Sequence, residues 1–403
     1  MLCFRCVGLT VFFSVIFLRA VGGGSAGCVI ANRLSANPDT TVLLLEAGGL
    51  EEPSRQIPVI AAYNLGGHDD WAYWTAPQKN ACLSFREQRC PMPRGKVLGG
   101  SSVLNYMLYV RGNKYDYDRW DSKYGADGWA YKDVLQYFKD IEDYHAGPLT
   151  VYHGSSGEVP VDYANTSTQL SDVYLKACKE SGYRYVGYNG PTQSGCSRLQ
   201  ANVRGGERTS ASKAFIQPVI STRRNLDVAL YSHVTKINFD GKRAVGVSFS
   251  RYGQQQNLSA RREVILSAGT VGSAQLLLLS GIGPKEELER LQIPVVADLP
   301  VGKNIQDHVL FFTAVPVLTD KQVGIPLFSL GDIAQYASDR TGTISIPAAV
   351  EVLHFLSTPY ASGPESADVE LCLISVQPAN QLARAELFNI GVLPEVRSTF
   401  KNV

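Results

Sequence analysis

The chain has 403 residues, 45% of them hydrophobic and 19% charged, which is ordinary for a globular protein and long enough to bury a core in two domains. Lys and Arg number 38 against 37 Asp and Glu, a formal charge of +1, and no basic run occurs. Nothing electrostatic therefore points to nucleic acid or an acidic surface as a partner.

The N-terminus reads in two ways. Arg5 followed by the apolar stretch Val7–Leu18 has the charged start and hydrophobic core of a signal peptide, and is too short to span a membrane. Cleavage after Ala20 would place bulky Leu18 where a small residue is preferred and would remove the strand that leads into the glycine turn. Alternatively, Val15–Val21 is that first strand, although Arg19 then sits where a fully buried parallel strand is expected to be apolar.

Val21–Gly27 (Val-Gly-Gly-Gly-Ser-Ala-Gly) is the stretch around which the chain is organised. Gly22, Gly24 and Gly27 fill a G-x-G-x-x-G pattern between that apolar run and a helical stretch, Ser25–Leu34. The first glycine suits a tight turn, the second a close approach to a pyrophosphate, and the third a close helix–strand contact. The helix start offers free N–H groups and a positive dipole end to phosphates. A turn at Asn37-Pro38-Asp39 leads to a buried strand, Thr41–Leu45, ending in Glu46, 19 positions after Gly27. A dinucleotide fold needs a carboxylate there for the ribose hydroxyls.

Residues Gly48–Asn80 show no helical period and read as a long excursion. Cys82 and Cys90 flank a short polar loop that lets them bridge, as suits an oxidising compartment. Asn165-Thr-Ser and Asn257-Leu-Ser are glycosylation sequons, and together these features favour the secretory route. None of the eight cysteines builds a paired C-x-x-C zinc pattern, so no metal is expected.

In Pro93–Asp118, Gly95, Gly99 and Gly100 with Ser101 and Ser102 make a donor-rich turn before an apolar, helix-like run. So bare a backbone suits a flat ring or a phosphate, and equally a loop entering a buried helix. Helices are expected at Tyr131–Tyr144 and Thr168–Ser181, and short strands and turns at Gly147–Tyr163. Strands are expected across Leu226–Ser250 around the turn Asp240-Gly241. Glu263–Ala268 followed by Gly269–Ser280 reads as another strand-to-helix unit of the parallel sheet. Val309–Leu318, Val350–Leu356 and Ala367–Val376 read as strands of a separate antiparallel sheet.

With these stretches in place, the chain resembles the glucose–methanol–choline oxidoreductase family, and within it arthropod glucose-dehydrogenase-like members, from about Val21 to Leu318. Four blocks carry the likeness: the glycine turn with Glu46-Ala47-Gly48-Gly49, Gly95–Asp118, Gly269–Gly283, and Asp298–His308. Ala274 departs from the family's usual proline.

The resemblance implies an α/β fold, a doubly wound, Rossmann-like FAD-binding domain with a second α+β substrate domain built on an antiparallel sheet. Residues 15–50, 90–145 and 200–310 fall to the first domain, and 146–199 and 311–403 to the second. It implies FAD as cofactor, and oxidation of the CH–OH group of a small alcohol or sugar by hydride transfer to flavin. Val97, Gly99, Gly100, Asn105 and Met107 are expected along the flavin and pyrophosphate, and Val234 at the adenine. The candidate cofactor set is Gly22, Gly24, Ser25, Ala26, Gly27, Glu46, Ala47, Arg94, Val97, Gly99, Gly100, Ser101, Asn105, Tyr106, Met107, Val234 and Ala268.

In the family a further C-terminal segment carries the catalytic histidine, so the chain is expected to be C-terminally truncated and no catalytic residue is named. His308, the histidine of the fourth block, is expected to be a hydrogen-bonded structural residue. The alternatives are a truncated, non-catalytic flavin-binding form, and a nicotinamide-dependent dehydrogenase, against which Gly95–Asp118 argues.

Overall fold

The computed structural model describes residues 18–310, 324–325 and 328–376. Its main elements in chain order are β1 (Leu18–Val21), α1 (Ser25–Leu34), β2 (Val42–Leu45), α2 (Lys114–Tyr124), α3 (Tyr131–Ile141), α4 (Gln169–Glu180), β3 (Gly195–Arg198), β4 (Leu226–Ala229), β5 (Ser232–Asp240), β6 (Arg243–Arg251), β7 (Gln254–Ser259), β8 (Glu263–Leu266), α5 (Gly269–Leu279), α6 (Lys285–Arg290), α7 (Leu330–Asp339), β9 (Val350–Leu356) and β10 (Val369–Ile374).

Four strands form a parallel sheet in the order β4-β2-β1-β8, with Leu18 opposite both Val42 and Glu263. Continuous apolar runs suit β1 and β2 because neighbours cover both of their faces, and every residue of the two strands is buried. Arg19 belongs to β1 and is buried all the same. Its Nε and Nη2 donate to the Ser259 carbonyl at the end of β7, at 3.3 and 3.0 Å. A charged strand residue is accommodated because a carbonyl from the neighbouring sheet reaches it.

β5, β6 and β7 form an antiparallel sheet around the Asp240-Gly241 turn. Val234, Val247 and Phe249 press it onto Val21, Leu43, Leu45 and Leu276. The third sheet, β10-β9-β3, is also antiparallel and has β9 in the middle. Tyr188, Leu199, Leu353 and Phe355 form its core. Cys178 on α4 is disulfide-bonded to Cys196 on β3, and Cys82 to Cys90.

One expectation is corrected. The apolar run after Ser102 is not a helix: a 3-10 turn covers Gly100–Val103, and the chain then stays irregular up to α2. The backbone N–H groups of Tyr109 and Asn202 donate to the carbonyls of Gln200 and Met107, so pairing with a distant segment replaces helical bonds. His308 is exposed, and its backbone N–H donates to Asp307 Oδ1 at 2.8 Å. β7, with its polar Gln254–Asn257, is a strand that alternation does not reveal. Most of the expected strand Val309–Leu318 lies outside the described residues.

Candidate functional site

The turns leaving β1, β2, β4 and β8 meet at the carboxyl edge of the parallel sheet, the usual place for ligands in open α/β folds. Gly22 N–H donates to Leu45 O, Ser232 N–H to Glu46 O, and Ser267 N–H to Val21 O, at 2.8–2.9 Å. Gly22 has φ of +96°, and a Cβ on it would lie 2.5 Å from Ser267 O, so only glycine fits.

The second glycine turn docks directly on the first. Gly99 N–H donates to Gly23 O at 2.7 Å. Gly100 adopts φ of +56°, and a Cβ there would lie 2.6 Å from Gly24 Cα. On Gly24 itself a Cβ would meet nothing nearer than Gly100 Cα at 3.8 Å, so its open side faces the cavity. No side chain among the described residues caps the start of α1, which leaves the first-turn N–H groups available to an anion.

These turns border a cavity of about 630 Å³. It is lined by Gly22, Gly24, Ser25, Ala26, Glu46, Ala47, Arg94, Gly100, Ser101, Val234 and Ala268, all of them in the sequence-derived set. The remaining members stand outside it. Gly27 is a packing residue, since a Cβ there would lie 1.9 Å from Gly22 O. Val97 is fully buried among Val103 and Leu104, and Met107 beside Tyr188 and Leu199. Gly99 faces Val103 and Ser212. Asn105 Oδ1 accepts from Met107 N–H and from Arg208 Nη1, and Tyr106 packs beside the Met107 core.

Sequence reasoning missed an aromatic wall. Trp71 and Tyr73 stack with centroids 5.9 Å apart, His233 lies 5.2 Å from Trp71, and Lys96 Nζ sits 4.9 Å over the indole. All but Lys96 line the cavity. Strand alternation does not reveal it, because Ala72 between the two rings has φ of +49°, in the left-handed region, and the strand begins only at Tyr73.

Glu46 is 5% exposed. Its Oε2 accepts from Gly23 N–H at 2.7 Å and its Oε1 from Gly48 N–H at 2.9 Å. Burial lifts its pKa to about 7, against the pull of those amides and of Lys96. His233 is shifted the other way, held below its ordinary value by burial and by Lys96.

Among the described residues, Cys178, Cys196 and His354 are grouped at metal-ligand spacing, but the disulfide engages both sulfurs. No helix among the described residues is long and apolar enough to cross a membrane.

A parallel sheet, a glycine turn opening a helix, and an acid at the end of the second strand define a dinucleotide-binding α/β protein. A family model described as GMC oxidoreductase matches residues 19–310. The chain belongs to the GMC oxidoreductase family. Glucose dehydrogenase (FAD, quinone) of Drosophila melanogaster is 42% identical over 359 residues, covering 87% of this chain and 56% of that protein. Oxygen-dependent choline dehydrogenase of Burkholderia cenocepacia is 42% identical over 296 residues, covering 72% and 51%. Among solved structures, an FAD-dependent oxidoreductase from Chaetomium thermophilum aligns with a TM-score of 0.74 at 29% identity, covering 85% of this chain and 62% of that one. The chain spans about half the length of the curated relatives it matches.

Proposed function

We propose that this chain binds FAD and serves an oxidoreductase that takes hydride from the CH–OH group of a small alcohol or sugar. The observation that carries this reading is the docking of the two glycine turns, Gly22–Gly24 on Gly99–Gly100, at the mouth of a cavity edged by Glu46. The residues fit the cofactor: a bare backbone and an uncapped helix start suit the pyrophosphate, Glu46 the ribose hydroxyls, and the Trp71–His233 wall with Val234 a flat purine. Bound there, FAD supplies the hydride acceptor. The protein's own part is to orient it, and Gly22, Gly24, Ser25, Ala26, Glu46, Ala47, Arg94, Gly100, Ser101, Val234 and Ala268 are assigned to that role. No catalytic residue is assigned.

The relatives named for glucose and choline dehydrogenation support a hydroxyl-bearing substrate. We assign 15–50, 90–145 and 200–310 to the FAD-binding domain, and 146–199 and 311–403 to the substrate domain. Pairing of β3 with β9 supports that division. Two disulfides support a secretory location.

The test is to purify the protein, extract and identify its cofactor, and add alcohols and sugars without air. FAD at close to one per chain, bleached by a hydroxyl substrate, is the expected result. Folded protein that stays colourless in a large excess of FAD would overturn the reading.

A further inference from the structure

We infer that Asn257 carries an N-linked glycan and that this glycan guards the open edge of the β5-β6-β7 sheet. The inference does not rest on the cofactor reading. β7 is an edge strand, and its residues Gln254, Gln255 and Asn257 are exposed. Open edges usually carry lysine, proline or a bulge that blocks pairing with another chain. β7 is Gln-Gln-Gln-Asn-Leu-Ser, with neither lysine nor proline, and it pairs with β6 without a register shift. Stacked Gln and Asn amides are the side chains that favour further strand addition. The unprotected edge and the sequon therefore fall on the same strand.

The geometry at Asn257 suits the modification. Ser248 Oγ lies 2.6 Å from Asn257 Oδ1 and 3.0 Å from Asn238 Oδ1, so the two amides share one hydroxyl proton, and Asn257 Nδ2 is without a partner among the described residues. Ser259 supplies the sequon hydroxyl residue. The other sequon is more engaged: Asn165 Nδ2 donates to Arg340 O at 3.5 Å, and Thr166 Oγ1 accepts from Gly342 N–H. The disulfides Cys82–Cys90 and Cys178–Cys196 place folding in an oxidising compartment, where such transfer occurs. The donor is a polyprenyl-diphosphate-linked oligosaccharide. The bond from the anomeric carbon to Asn257 Nδ2 forms, the bond from that carbon to phosphate oxygen breaks, and the diphosphate and one amide proton leave.

The full chain, produced through a eukaryotic secretory pathway, is treated with a peptide N-glycosidase and mapped by mass. The peptide spanning position 257 should carry sugar in most copies and read aspartate after release. Asn257→Gln and Ser259→Ala both lose the sugar, and both should show several-fold more dimer and larger species by size exclusion at equal concentration. Adding Gln255→Lys to Asn257→Gln should return the monomer by placing a charge on the edge. An unmodified peptide at 257 overturns the inference, as do sugar-free variants that remain as monomeric as the parent.

Discussion

At the scale of single residues, Glu46 makes the site responsive to pH. Its carboxyl is lifted from 4.5 to about 7, chiefly by burial. A folded-state pKa above the unfolded one means that the folded protein holds the proton more tightly. The contribution of Glu46 to stability is then fully present below 4.5 and is lost as pH rises from there to about 7, about 3 kcal/mol in all. Protein stripped of flavin should show this slope in its urea midpoint, and Glu46→Gln should lose it. Ribose hydroxyls donating to the carboxylate favour its charged form, so flavin should flatten the slope as well.

Gly100 is a second sensitive position, for steric reasons. Gly100→Ala places a methyl 2.6 Å from a backbone carbon of Gly24 at φ of +56°, where neither segment gives way easily. The strain amounts to about 1–3 kcal/mol, and we expect at least a tenfold loss of bound flavin by visible absorbance. Gly125→Ala is the control. Gly125 also has positive φ, +67°, but nothing lies within 4 Å of its added carbon, so flavin content should be unchanged.

At the scale of elements, the Cys178–Cys196 disulfide ties α4 to β3 across 18 residues. Changing both to serine should lower stability by about 3 kcal/mol, read from denaturant unfolding, with flavin content unaffected. The bridge was not legible in the sequence, because nothing in the spacing from residue 178 to 196 shows that a helix and a strand will face each other. The Cys82–Cys90 bridge was legible, since the short polar loop between them closes locally. The same division runs through the site. Gly22, Gly24, Glu46 and the start of α1 could be read because a strand, turn, helix and strand succeed one another within about thirty residues. Val97, Asn105 and Met107, also members of the candidate set, have side chains in contact with Val103, Arg208 and Tyr188, partners that the local order of strand, turn and helix does not reveal. Trp71 escaped notice because its excursion has no period to read.

At the scale of the whole molecule, the three larger sheets are joined by segments that cross between them several times, so ligand binding and global stability should be coupled. FAD supplied at a hundred times its Kd should add about 2.7 kcal/mol and raise the melting temperature by several degrees. ADP, which reproduces only the part we assign to Glu46 and the aromatic wall, should give a smaller rise. A differential scan with each ligand checks both statements.

The pairing of β1 with β8 has a consequence for biosynthesis. Leu18 lies opposite Glu263, so the first strand among the described residues gains that neighbour only after 245 further residues have been made. At ribosomal speeds this interval is on the order of ten to fifty seconds. Throughout it, an apolar ribbon bearing one arginine has a bare flank, and nascent chains of this protein should depend on holdase chaperones until Leu266 emerges.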